Sequence, residues 1–352
     1  MIIWGRDDYA SRLKAYFNML EPEREFIYMP FSLQQEADGN FSFPSNDSRL
    51  AHVNQDEEVY VAVSAGRVEL AKEKLQQEGL HNFVFYDAEM DNHLKKEFFK
   101  KYFATKGKSF ELMNDEVYKD LSVKKKVNIF LAKSAVDKPI PNYPAKLPEI
   151  VIPIHVGAAL ADVKIAEVTD DVGENISDRN PRYSETTALY WMWKNADADY
   201  LGLCHYRRLW KNPELIAKRL QRDDIDVVLP LPTWVEPSVA IGHLELCTPS
   251  VWQILLDVLE QRDPIYGKMA KEVFDGKVFY ACNMFIAKKQ VLCDLCEWMF
   301  PIVMEVEDKV GDLPDKYLNR YCGFCTEQLI TLYFLCNQNH YHIVHAEKIF
   351  VG

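Results

Sequence analysis

The stretch that most constrains this chain runs from residue 170 to 210, DDVGENISDRNPRYSETTALYWMWKNADADYLGLCHYRRLW. It is polar and turn-rich as far as Asn180. A helix pattern follows from Tyr183 to Asn195, with Leu189, Met192 and Trp193 on one face. Tyr200 to Cys204 is short, apolar and flanked by turn residues, which predicts a buried strand. At its carboxyl end stand His205, Tyr206, Arg207 and Arg208. Open α/β sheets bind ligands in the crevice outside the carboxyl ends of their strands. Those four side chains are therefore a site candidate, although a surface turn with two solvated arginines would read the same way.

A chain of 352 residues has material for two domains. A net charge of -12 argues against general nucleic-acid binding, yet leaves room for a local basic pocket. No segment has the length and apolarity of a membrane span. The opening MIIWGRDDYA lacks the basic and apolar regions of a signal peptide, so the expectation is a cytoplasmic protein. Cys293 with Cys296, and Cys322 with Cys325, raise a zinc site. The first pair lies in an amphipathic helix pattern and neither has the knuckle glycine, so reduced, buried thiols are expected instead.

In the first 122 residues, strands at Met1–Gly5, Phe26–Met29, Val59–Ser64 and Phe83–Tyr86 alternate with helices at Ser11–Leu20 and Arg67–Glu78. Residues 32–57 read as polar and irregular. The pattern predicts a small parallel, Rossmann-like α/β domain. Its first turn, WGRDDYAS, resembles only loosely the start of nucleotide-sugar-modifying or sugar O-acyltransferase N-terminal domains. A dinucleotide fingerprint needs three glycines. Here Gly5 stands alone, and Asp7 and Asp8 would repel a pyrophosphate. A structural, regulatory or partner-binding role is expected.

Residues 123–352 form the second expected domain. Val127–Ala132 reads as a strand and residues 137–153, with five prolines, as an irregular loop. Phe279–Ala287 reads as one strand, followed by a long helix to Val306. Thr326 is expected to cap a last helix running to Asn337, which places Glu327 in its first turn.

The segments at 153–160 (PIHVGAAL), 170–195, 199–210, 280–289 with 296–302, and 323–334 (GFCTEQLITLYF) follow one another in a recognisable order. Together they resemble a bacterial capsular and O-antigen polysaccharide glycosyltransferase family, long described as a domain of unknown function. Ser184 and Cys325 depart from its commoner pattern. The resemblance spans nearly all of 127–352 and implies a GT-A-like fold, a nucleotide-sugar donor and a growing glycan as acceptor. Some relatives are galactofuranosyltransferases, so UDP-galactofuranose is a candidate donor. A lipid-linked acceptor and peripheral attachment at the inner face of the membrane stay open.

Many GT-A enzymes hold a divalent metal on an Asp-x-Asp after a central strand. YLGLCHYRR carries no carboxylate there. Arginine binds phosphate in a planar, bidentate way, so His205, Arg207 and Arg208 are expected to face the diphosphate with no cofactor. Manganese or magnesium on Asp170 and Asp171 is the rival. Asp170, Asp171, Asn175, Ser177, Arg179 and Asn180 form a hydrogen-bonding loop suited to a nucleotide or sugar. Asn283 and His243 are placed on the acceptor side, although a lone histidine in apolar surroundings is more often structural. Glu327 is the candidate base and Glu185 the runner-up; charge complementarity at a helix start would explain either. The alternative to an enzyme is a non-catalytic glycan- or nucleotide-binding module of an assembly complex.

Overall fold

The computed structural model describes residues 1–31, 34–35, 41–42, 49–113, 124–140, 143–144 and 146–351. They divide into two compact units, Met1–Ser109 and Phe110–Gly352. The join expected between 122 and 123 lies outside the described residues, as does much of the stretch 32–57.

The first unit holds a four-stranded sheet in the spatial order Ile27–Phe31, Ile2–Arg6, Val59–Ala62, Phe83–Phe85, all parallel. Trp4, Val59 and Val61 are buried with Leu75 and Leu80 in one cluster. Helices Asp7–Leu20, Val68–Gln77 and Ala88–Thr105 connect or follow these strands. Strand–helix alternation with apolar strand interiors gives this topology because a parallel connection needs a crossover.

The second unit is built on a ten-stranded sheet. Its main path runs Val168–Thr169, Val151–His155, Val127–Lys133, Tyr200–His205, Phe285–Lys288, Val227–Pro230, Ile343–Ala346, Glu111–Leu112. Along this path only Phe285–Lys288 is reversed, antiparallel to both neighbours. Both faces of the sheet are covered. Phe130, Leu201, Leu203, Phe285 and Leu229 pack on one side with the helices Thr186–Asn195, Pro249–Arg262, Lys289–Val310 and Tyr321–Cys336. Ile129, Leu131, Cys204, Ile286 and Val228 pack on the other with Ile216 and Leu220 of helix Pro213–Leu220. The two-residue alternation of these side chains is what a sheet buried on both faces requires. This is the α/β, GT-A-like architecture expected for the unit.

Several elements differ from their sequence reading. Residues 151–153, expected at the end of the proline-rich loop, instead open the strand Val151–His155 beside Val127–Lys133, with Pro153 exposed and opposite Leu131. The helix expected from Tyr183 is broken. A short helix ends at Tyr183, Ser184 takes φ 52° and ψ -133°, and a new helix starts at Thr186. The strand expected over 279–287 is also broken, into Val278–Phe279 and Phe285–Lys288, by Cys282 (φ 82°) and Asn283 (φ 50°). The last long helix starts at Tyr321, so Glu327 lies in its second turn, and Thr326 Oγ1 donates to Gly323 O at 2.7 Å.

Candidate active site

The sequence HYRR is a two-residue hairpin: His205 pairs with Arg208 across it, and Arg208–Trp210 pairs in turn with Lys348–Phe350. The turn sits at the carboxyl ends of the parallel strands. Because Phe285–Lys288 runs the other way, the residues before it arrive at that same edge, with Leu203 opposite Phe285. Topology thus brings the Cys282–Asn283 turn to the exit of the central strand.

A cleft of about 690 Å³ opens there. Ala132, Ser134 and Asp137 line it from the end of strand Val127–Lys133, Asn180, Ser184 and Glu185 from the broken helix, and His205 to Arg208 from the hairpin. Lys316, Asn319 and Arg320 close another wall, with Phe350 at the rim. Among the described residues, Arg207, Arg208, Arg320 and Lys316 form no ion pair with a carboxylate. Arg207 lies over the Tyr206 ring at 5.3 Å, and its buried Nε has no partner there. Arg208 lies over Phe350 at 5.7 Å. Arg320 Nε donates to Ser184 Oγ at 3.0 Å. Arg207 and Arg208 rest on rings and Arg320 on a hydroxyl, with Asp137 near Arg207 and Glu327 near Arg208 but neither in an ion pair with it, so this wall attracts an anion.

Next to this wall is an acidic pair. Glu185 Oε1 accepts from Asn283 Nδ2 at 2.8 Å and lies 3.6 Å from His205 Nε2. Glu327 Oε1 accepts from the Cys282 N–H at 2.6 Å. Burial, and then the charge of Glu185, push the Glu327 carboxyl up to about 7, against the Cys282 N–H, Lys348 and Arg208, which lower it. Burial also lowers His205, with Glu185 opposing and Arg208 and Lys348 assisting. Lys348 was missed by sequence reasoning. It is a single lysine near the end of the chain, and only the pairing of its strand with Arg208–Trp210 puts it at the site. Arg320 was missed for a similar reason; the signal available was its place just before the GFCTEQ segment.

The expected polar loop is only partly brought to the cleft. Asn180 lines it, and Asn180 Nδ2 donates to Ser184 O at 2.7 Å. Asp170 is fully buried and accepts from the backbone N–H groups of Gly157 (2.9 Å) and Ala158 (3.1 Å) and from Ser177 Oγ. Gly157 has φ 68°, and a Cβ there would meet Asn180 Oδ1 at 2.8 Å, so a glycine lets this loop close. Three donors thus already engage the Asp170 carboxylate. Asp171 accepts from Thr169 Oγ1, and Asn175 bonds Gly173 O and the Ser177 N–H. Arg179 pairs with Glu307 at 3.0 Å, beside Tyr183. Among the described residues no cluster of His, Cys, Asp or Glu is arranged to hold a metal. His243 is buried away from the cleft lining, with Nδ1 3.1 Å from Gln328 Nε2 and its ring 4.8 Å from Trp252.

A search of curated proteins finds no match. Among solved structures, the chain resembles the apo structure of the WbbM bifunctional glycosyltransferase, with a TM-score of 0.57 and 27% identity. The likeness covers 64% of this chain and 45% of that one, so the chain spans less than half of that protein's length. A family model matches residues 135–339, which include the hairpin, both turns and both glutamates. The chain belongs to the family described as Domain of unknown function (DUF4422).

Proposed function

We propose that the protein is a glycosyltransferase that moves a hexosyl group from a UDP-linked donor to a growing glycan, with inversion at the anomeric carbon. UDP-galactofuranose is the first donor to try, and a capsular or O-antigen chain, lipid-linked at the inner face of the membrane, the first acceptor. The observation that carries this reading is one cleft in which a wall of arginines and a lysine stands beside a pair of carboxylates. The fold shared with a bifunctional glycosyltransferase supports it.

In this scheme Arg207, Arg208 and Arg320 receive the donor diphosphate. Fixed cations in a partly enclosed site stabilise the charge that the leaving group gains. The acceptor oxygen bonds to the anomeric carbon as the bond from that carbon to the diphosphate oxygen breaks. The nucleoside diphosphate leaves with the electron pair, and the hydroxyl proton passes to the Glu185–Glu327 pair. Glu185 is the member that lines the cleft. A base must be within hydrogen-bond reach of the proton it takes.

The test is nucleotide release from a panel of UDP-, GDP- and dTDP-sugars, with and without EDTA. Release from a UDP-sugar that survives EDTA is expected. Arg207→Ala or Arg208→Ala should lower kcat/KM by roughly ten- to hundredfold, the worth of one charge-assisted contact. Loss of all turnover in EDTA with rescue by manganese would overturn the arginine scheme. Sugar-nucleotide binding with no release from any donor would favour the binding module.

A further inference from the structure

Non-glycine residues with positive φ are rare and costly, and they persist where the surrounding structure enforces them. Among the described residues there are five: Ser184, Asn212, Asp223, Cys282 and Asn283. Three of these lie at the two acids of the cleft. Ser184 immediately precedes Glu185, and Asn283 donates to Glu185 Oε1 at 2.8 Å. Cys282, next in line, donates its N–H to Glu327 Oε1 at 2.6 Å. Two consecutive left-handed residues therefore each hold one of the two acids.

Asn283 is fully buried. Its Nδ2 also reaches Gly323 O at 3.2 Å, on the helix that carries Glu327. Its Oδ1 is buried with no hydrogen-bond partner. An apolar residue here would leave Glu185 Oε1 without the donor it now has, so the amide serves the carboxylate as well as the packing. Asparagine suits the position because it tolerates the left-handed region and brings two N–H donors.

We propose that Asn283 is a positioning residue: through the left-handed Cys282–Asn283 turn it binds Glu185 and Glu327 into one proton-accepting pair. The proposal rests on the transferase reading of the cleft and assigns what organises its base. The groups facing the pair are His205 on the central strand, Arg208 on the hairpin, Cys282 on the turn and Lys348 on the last strand. The cations hold the acids' charge in check, and the amide fixes where the Glu185 carboxylate points.

The test uses the full chain with carbon-13-labelled glutamate and follows the carboxyl infrared bands from pH 5 to 9. Wild type should show one carboxyl titrating near neutrality, and Glu327→Gln should lack it. Asn283→Asp replaces a donor with a like charge and should move that titration up by about one unit or more. Asn283→Gly keeps the left-handed backbone without the amide and should shift or broaden it. In transfer assays both Asn283 variants should lower kcat by roughly a hundredfold, the cost of a small misplacement, with the donor KM within a few-fold of wild type. Unmoved titrations in both folded variants would overturn the proposal, whatever the activity. Moved titrations in a protein that turns over no sugar nucleotide would keep the paired acids and reject the transferase reading instead. If Asn283→Asp fails to fold, the glycine variant alone decides.

Discussion

Glu327 is a carboxyl pushed up to about 7 by burial and by Glu185, and that shift has consequences for both activity and stability. A base acts when deprotonated, so transfer should rise with pH through about 7. For stability the folded state binds the proton more tightly than the unfolded chain. Stability from this group is therefore complete below the unfolded value and lost as pH rises through the folded one. Glu327→Gln cannot ionise and should escape that loss. It should be more stable than wild type at pH 8 and gain little at pH 5, by parallel urea titrations. Its transfer rate should fall by roughly a hundred- to ten-thousandfold. Wild-type transfer in this variant would remove Glu327 from the mechanism. At this scale the sequence reading named Glu185, Glu327, His205, Arg207 and Arg208, because they stand beside recognisable strand and helix signals. It had no way to join Lys348 to them, which arrives by strand pairing with Arg208–Trp210, and it passed over Arg320, which stands just before the GFCTEQ segment and reaches Ser184 across the chain.

The elements were most legible where periodicity was strong, as at Tyr200–His205 and Lys289–Val310. They were least legible at the two breaks that make the site. YSE and CNM read as continuous helix and strand, because local propensity does not register a left-handed kink that tertiary contacts enforce. Pro153 likewise made a strand look like loop, since a proline ordinarily argues against a central strand. The central strand has a different local demand at Gly202. A Cβ there would lie 2.6 Å from Ile286 Cγ1 on the reversed strand. Gly202→Ala should thus overpack the sheet by about 1–3 kcal/mol. Adding Ile286→Ala removes the clashing atom, so the double variant should lose less than the sum of the singles. Strict additivity by denaturant unfolding would show that the two strands do not meet at this point.

At the scale of the molecule, the described residues supply each unit with a core of its own. One buried cluster lies within residues 2–80, and the two flanking the large sheet lie within residues 127–346. All residues lining the cleft lie in the second unit. Separate cores in separate units are expected to unfold as separate cooperative steps. The first unit offers a selective lesion. A Cβ on Gly5 would stand 2.3 Å from the Ala62 carbonyl oxygen on the neighbouring strand, where register pairs the two residues. A backbone atom gives way less easily than the end of a side chain, so Gly5→Ala should force those strands apart. With an overpacking cost of about 1–3 kcal/mol, the transition of a unit this size should fall by roughly 4 °C or more. Calorimetry of the whole chain should show two transitions, with Gly5→Ala lowering one and Gly202→Ala the other. Donor turnover at 25 °C should follow only the second. One transition lowered by both substitutions would mean that the two units unfold together, and turnover would then be expected to fall with either.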